Sequence, residues 1–201
     1  MRRTIAALGT VGFLALSLVM PKTGAQAEPA LYKLDKEHLA IAFLVHHIGY
    51  ADTLGQFLEA EGSFMFDEDA KTVSDISVTI DAKSVFSNHE RRDKHVIGKD
   101  FLHTEEHPTI TFTGTNATAT DDTTGTVEGD LTIRGVTQPV TLDVTMNKVG
   151  PYPFGDNYVV GVSARTTIKR SEFGMTYAVE NGWVGDEVEI ILEFEAIRQD
   201  S

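Results

Sequence analysis

The sequence predicts an all-β fold of about eight antiparallel strands, and three observations support that prediction. Apolar and polar residues alternate with a period of two through most of the chain after residue 30, which is typical of strands with one buried and one solvated face. Short stretches rich in Gly, Pro, Asp and Asn separate these segments, as between antiparallel neighbours. Residues 87–106 depart from the alternation and predict a short helical excursion.

The two clearest strands are residues 75–82, which alternate strictly, and residues 187–195, which do so apart from Ile191. The same alternation predicts further strands at residues 39–47, 58–64, 110–112, 127–133, 140–146 and 160–168. Turn-forming residues lie between several of them, at residues 67–69, 121–125, 134–137 and 150–157. Connections this short favour pairing between neighbours along the chain.

In the helical excursion, Asn88 has a side chain suited to capping a helix, and we expect that helix to run through Asp93 and His95. Four histidines lie in or beside this stretch, namely His89, His95, His103 and His107. The last two have the spacing of helical metal ligands, but Pro108 favours an extended backbone at His107. No cysteine or carboxylate completes a recognisable ligand set, so we expect no metal site.

Eight antiparallel strands in a chain of this length can form a two-sheet sandwich or a closed barrel, and the periodicity does not choose between them. An eight-stranded barrel either fills its interior with side chains or holds one slender ligand. The dry registers carry mainly Val, Ile, Leu, Phe, Ala and Gly. A cavity inside such a barrel is therefore expected to be dry and suited to a hydrocarbon.

Residues 1–27 have the features of a cleaved signal peptide. Two arginines precede an uncharged apolar run, and Ala25-Gln26-Ala27 supplies small residues at the spacing of a signal peptidase site. The run is shorter than the ~20 residues that span a bilayer, and no second run of this kind follows. We therefore expect residues 28–201 to form a single periplasmic domain without stable membrane insertion.

Charge and composition narrow the classes of function. Removing residues 1–27 takes away three basic residues and no acidic ones, so the formal charge changes from −13 to −16. A field of that sign repels phosphate backbones, and we expect no nucleic-acid partner. The chain has no cysteine and therefore no thiolate nucleophile. Without a recognisable hydrolase, phosphate-binding or zinc-protease motif, we expect neither catalysis nor a cofactor.

Five segments in the same order resemble the YceI-like family of periplasmic polyisoprenoid-binding proteins. They are Phe43–Tyr50, Asn88–His95, Pro108–Phe112, Gly129–Thr137, and Arg170–Gly174 together with Val184–Asp186. The resemblance extends over essentially the whole of residues 28–201.

The resemblance implies an eight-stranded antiparallel lipocalin-like barrel whose interior holds an isoprenoid chain. The function expected is sequestration or transport of a long-chain isoprenoid lipid, of polyprenyl or quinone type. Two alternatives stay open: a hydrolase or isomerase acting on a lipid in the same cavity, and a ligand-free structural protein related to stress. Whether the protein forms a homodimer is also left open.

The candidate ligand-binding residues are the large residues predicted to point into the barrel. They are Ile41, Phe43, Val45, His47, Phe64, Ile76, Val78, Ile80, Phe101, Ile110, Phe112, Leu131, Ile133, Leu142, Val144, Val160, Val162, Phe173, Val188, Ile190 and Leu192. His47 falls on the inward register and His46 on the outward one. We expect the imidazole of His47 to hydrogen-bond inside the barrel, to the backbone or to a ligand head group.

Overall fold

The computed structural model describes residues 28–199, so the signal peptide predicted for residues 1–27 lies outside the described residues. The described chain is almost entirely strands, with one short helix, α1, and 3₁₀ turns at Ala82–Ser84 and Arg170–Phe173. The strands and the helix are β1 Ala30–His47, β2 Ala51–Phe57, β3 Ala60–Asp67, β4 Thr72–Asp81, β5 Val85–Phe86, α1 Glu90–Val96, β6 Thr109–Ala119, β7 Thr124–Ile133, β8 Val136–Pro151, β9 Tyr158–Lys169 and β10 Val184–Arg198.

The strands close into an antiparallel barrel. The sheet runs in the order β10-β9-β8-β7-β6-β4-β3-β1-β2-β5, and β10 pairs with β1 to complete the ring. That pairing extends from Tyr32 opposite Arg198 to His47 opposite Val184. Closure confirms the predicted all-β barrel and decides against the sandwich, because a sandwich leaves strand edges unpaired.

The ten strands occupy eight positions around the barrel, which we call staves, because two of these positions are each filled by two shorter strands. β2 and β3 lie end to end along the same side of β1, with Leu58 and Glu59 between them. β5 follows β4 after a 3₁₀ turn and pairs with β2. The interruptions let the chain bend while it keeps one continuous wall.

The helical excursion occurs where it is expected, but its cap is His89 and the expectation for Asn88 is wrong. Asn88 adopts a left-handed conformation with φ 59°, while His89 has the extended backbone of a cap residue. The Nδ1 atom of His89 accepts a hydrogen bond from the Arg92 backbone N–H at 3.3 Å. Asn tolerates left-handed backbone well, so Asn88 turns the chain and leaves the capping to its neighbour.

Within residues 28–199, none of the helical segments has the length and apolar character needed to cross a membrane.

Candidate ligand cavity

The barrel encloses a cavity of about 300 Å³ whose wall is almost entirely apolar. Alternation along the strands places it there, since every second residue points inward. Cross-strand pairs build the wall: Phe43 lies opposite Ile190, and Ile80 opposite Ile110. The apolar lining side chains are Leu34, Leu39, Ile41, Ala42, Phe43, Phe57, Phe64, Phe66, Val73, Ile76, Val78, Ile80, Ile110, Phe112, Ala117, Ala119, Val127, Leu131, Ile133, Val140, Leu142, Val144, Met146, Val160, Val162, Ala164, Ile190, Leu192 and Phe194.

One end of the cavity reaches the tips of two neighbouring hairpins, which we call the mouth. The β3–β4 turn contributes Lys71, and the tip of the β6–β7 hairpin contributes Thr118, Ala119 and residues 121–124. The ammonium group of Lys71 forms an ion pair with the carboxylate of Asp122 and so ties the two tips together. The charged groups that line the cavity therefore all lie at this end, among the residues that the structure describes.

The second carboxylate of the mouth, Asp121, stabilises its own turn. Its Oδ1 atom accepts hydrogen bonds from the backbone N–H groups of Thr123 and Thr124, both at 2.8 Å, and its Oδ2 atom accepts one from the Thr124 hydroxyl at 2.7 Å. These donors, the Thr123 N–H first, lower the pKa of Asp121 to about 2. Asp121 is therefore ionised at any pH near neutrality.

Buried side chains that we call the plug, Leu102, Phe173 and Met175, close the opposite end. Arg170 holds the segment that carries Phe173 and Met175, while Leu102 comes from the loop after α1. Arg170 is 3% exposed, and its guanidinium donates to the carbonyl oxygens of Gly185, Met175, Tyr177 and Val184 at 2.7–2.8 Å. Burial lowers the pKa of Arg170, but an arginine stays charged in proteins. The cavity therefore reaches the hairpin tips at one end, and this buried cluster packs against its apolar wall at the other.

Most of the predicted ligand-binding residues line this cavity, and whether they contact a ligand stays a prediction. Five lie elsewhere. Val45 and Val188 pair with each other nearer the plugged end, Phe173 belongs to the plug, and the Phe101 ring packs against His95 and Tyr177 outside the cavity. Phe101 and Phe173 come from non-strand segments, where the inward register is undefined.

The expectation that His47 points into the barrel is wrong, because its side chain is exposed. His47 is the last residue of β1, paired with Ala51 across the turn to β2. It lies at the rim, where the alternation continues but there is no longer an interior. His46 is exposed too, and its Nδ1 atom lies 3.0 Å from Asp52 Oδ1.

Sequence reasoning missed several wall residues. Leu39, Val140, Met146, Ala164 and Phe194 continue the alternation of recognised strands, so the signal for them was present. Leu34, Phe66 and Val73 lie beside irregular pairings, between Leu34 and Leu39 in β1 and between Ser63 and Met65 in β3. A bulge reverses the inward register, and the sequence does not show where that happens.

The charged residues of the helical excursion and the turns make structural contacts within the protein. Arg92 Nε donates to the Ser87 hydroxyl at 2.7 Å, and Asp93 Oδ1 accepts the Ser87 backbone N–H at 2.8 Å. Arg134 Nη1 donates to the Phe101 carbonyl at 2.8 Å. None of the three charged side chains, Arg92, Asp93 and Arg134, lines the cavity described above.

Glu106 joins two of the candidate metal ligands. His103, Glu106 and His107 place one ligand atom each within 4.8 Å of one another, and His103 Nε2 lies 3.4 Å from Glu106 Oε1. We expected no carboxylate to complete this set, whereas the structure places Glu106 beside both histidines. Glu106 is largely exposed, and the cluster lies outside the cavity. That the protein needs no metal stays a prediction.

The fold and the site together define a closed antiparallel β-barrel with an apolar cavity. A family model described as a YceI-like domain matches residues 32–196, so the chain belongs to the YceI-like family. The resemblance carried by the five sequence segments is thereby confirmed.

Relatives and solved structures agree with this assignment. A UPF0312 protein of Pseudomonas aeruginosa (strain LESB58) is 39% identical over 192 residues, which cover 94% of this chain and 98% of the relative. Burkholderia cenocepacia BcnA has a TM-score of 0.70 at 24% identity, covering 81% of this chain and 98% of that chain. A polyisoprenoid-binding domain from Saccharophagus degradans has a TM-score of 0.62 at 13% identity, covering 86% and 100%. At those identities the two structures show a shared fold.

Proposed function

We propose that the protein binds a long-chain isoprenoid lipid, of polyprenyl or quinone type, in its barrel, and sequesters or transports it in the periplasm. The observation that supports this most directly is the apolar cavity, whose charged groups lie only at the mouth. Such a pocket suits a slender hydrocarbon with one polar end. The Saccharophagus barrel, which shares the fold, is a polyisoprenoid-binding domain.

Burial of hydrocarbon supplies the affinity in this proposal. Each Å² of apolar surface removed from water contributes roughly 25 cal/mol, and the wall provides apolar contacts from every stave of the barrel. Chain length should therefore govern affinity until the cavity is filled. Lipids of the same head group and increasing length should bind progressively more tightly.

The wall gives no support to catalysis. Within residues 28–199, no histidine lines the cavity, and its titratable groups are Lys71, Asp121 and Asp122. Lys71 and Asp122 pair with each other, while Asp121 is engaged by its own turn. A general base needs a free group within reach of the reacting atom, so we assign binding to the cavity.

Export to the periplasm follows from the predicted cleavage after Ala27. Protein expressed in a native host and purified without detergent should begin at Glu28 by intact mass, and its organic extract should contain an isoprenoid lipid by mass spectrometry. An empty extract would favour a filled, ligand-free barrel. Turnover of the extracted lipid on incubation with the protein would favour an enzyme.

A polar-walled variant tests whether the ligand is inside the barrel. Val160 and Val162 are 2% and 9% exposed and line the cavity on β9. The double change Val160→Thr/Val162→Thr largely keeps volume and β propensity but adds two hydroxyls to the dry wall. We expect a folded protein that retains several-fold less lipid, measured by quantitative mass spectrometry.

Glu189→Gln is the matched control, since Glu189 is an exposed residue of β10. It should retain the normal amount of lipid. If the folded double variant carries as much lipid as the unmodified protein, the ligand does not lie in the barrel.

A further inference from the structure

The cavity has very few groups that could neutralise a charged ligand. Among the described residues that line it, Lys71 is the single cation, and its ammonium group is already paired with Asp122. The remaining polar lining residues apart from Asp121 are hydroxyl-bearing, namely Ser63, Thr118, Thr123, Thr124, Thr126 and Thr166. Hydroxyls can hydrogen-bond a carbonyl or an alcohol, but they cannot balance a phosphate.

The mouth itself carries a negative charge. The β3–β4 turn contributes Glu68 and Asp69 beside Lys71, next to the buried Asp67 at the end of β3, and the β6–β7 turn contributes two aspartates. Glu68 accepts a hydrogen bond from the Tyr158 hydroxyl at 2.6 Å, and the Arg198 guanidinium stacks on the Tyr158 ring at 4.3 Å. The nearby arginine is thus engaged by Tyr158. An anionic head group entering here meets more like charges than opposite ones.

Deeper in the barrel a charge would lie against hydrocarbon. The wall below the mouth consists of Val, Ile, Leu, Phe and Met side chains with a few hydroxyls. An ion placed there loses its hydration without gaining a partner, which is far costlier than burying a hydrogen-bonded neutral group. Neither the mouth nor the interior therefore suits a phosphate.

We propose that the cavity selects isoprenoids with an uncharged head group, such as a quinone or a free alcohol, and excludes polyprenyl phosphates and pyrophosphates. This proposal rests on the proposed function and specifies the ligand class of the same site. The neutral head would lie at the mouth, where the Thr118 hydroxyl can donate a hydrogen bond. The hydroxyl oxygens of Thr123 and Thr124, which already donate to Asp121, can accept one from an alcohol.

The test compares two lipids that differ only in the head group. Delipidated protein is incubated at pH 7 with a polyprenol or with the polyprenyl phosphate of the same chain length, each dispersed in the same neutral detergent. Lipid that co-elutes with the protein is quantified by mass spectrometry. We expect at least about tenfold more polyprenol than polyprenyl phosphate to be retained, because charge repulsion at the mouth and desolvation of the phosphate both oppose its binding.

Removing one negative charge from the mouth tests its role in head-group selection directly. Asp122→Asn removes a largely exposed carboxylate and frees Lys71 to pair with a phosphate. The ratio of polyprenol to polyprenyl phosphate retained should fall several-fold. Asp156→Asn removes one carboxylate from the exposed β8–β9 connection at the same end of the barrel, and it should leave that ratio unchanged.

The outcomes separate this proposal from the proposed function. Equal retention of both lipids, or tighter retention of the phosphate, overturns head-group selection and leaves isoprenoid binding intact. Retention of neither lipid overturns the proposed function and this proposal with it. An equal change in the two variants would show that bulk charge, and not the mouth, sets the ratio.

Discussion

Glycines set how closely the largest side chains approach the barrel wall. A Cβ atom built at Gly55 would lie 2.2 Å from Phe43 Cζ, and one at Gly129 would lie 2.4 Å from Phe112 Cζ. Both phenylalanines line the cavity. The missing side chains therefore leave room for aromatic rings that would otherwise be pushed into the cavity or out of their rotamers.

Gly129→Ala should destabilise the barrel by about 1–3 kcal/mol, because overpacking forces side chains and backbone to shift. The Thr113 carbonyl oxygen lies only 2.6 Å from the built Cβ, so the aromatic ring cannot relieve the clash alone. Urea denaturation measures the change. Gly161→Ala is the control, since its nearest atom is 4.0 Å away, and it should be neutral or slightly stabilising. Equal stabilities of the two variants would contradict this prediction.

At the residue scale, the sequence identified the direction of side chains within strands but not where strands stop being part of the barrel. Phe43 and Ile190 were predicted to face inward and line the cavity. His47 obeys the same alternation but lies beyond the interior. The end of the wall depends on how neighbouring strands are staggered, and that stagger is a property of the assembled sheet.

Among the elements, the plug is the one that the sequence did not predict as a unit. The strands and the helical excursion follow from local periodicity and turn chemistry. Phe173 and Met175 instead leave the barrel wall and return to close its end, held by Arg170. Contacts between residues distant in sequence create this arrangement, so no local sequence pattern predicts it.

Arg170→Lys should destabilise the plug by roughly 2–4 kcal/mol, since a lysine ammonium cannot donate to four carbonyl oxygens in the planar geometry of a guanidinium. Thermal and urea unfolding both measure the loss. Arg165→Lys offers a comparison, because Arg165 is half-exposed and pairs with Glu193 at 2.7 Å. It donates to fewer carbonyl oxygens than Arg170, those of Ala164 at 2.9 Å and Leu192 at 3.4 Å. Its loss should be within about 1 kcal/mol. If the two changes cost the same, the carbonyl contacts of Arg170 contribute little.

For the molecule as a whole, the choice between a sandwich and a barrel could not be made from the period of two, because both architectures alternate inward and outward residues. The pairing of β1 with β10 decides it. These strands lie at opposite ends of the chain, so their contact is the most non-local in the fold. The family resemblance supplied the barrel expectation that periodicity alone left open.

A ligand held in the barrel should also stabilise it as a whole, which gives a test independent of lipid retention. Binding to the folded state alone adds about 2.7 kcal/mol when free ligand is at a hundredfold excess over Kd. For a domain of this size, each kcal/mol raises Tm by about 2–4 °C. We therefore expect delipidation to lower Tm by roughly 5–10 °C and added polyprenol to restore it in a concentration-dependent way.

Val160→Thr/Val162→Thr should show a much smaller recovery than Glu189→Gln, because its wall no longer favours hydrocarbon. An unchanged Tm after delipidation, with no response to added lipid, would indicate that the cavity does not hold the lipid.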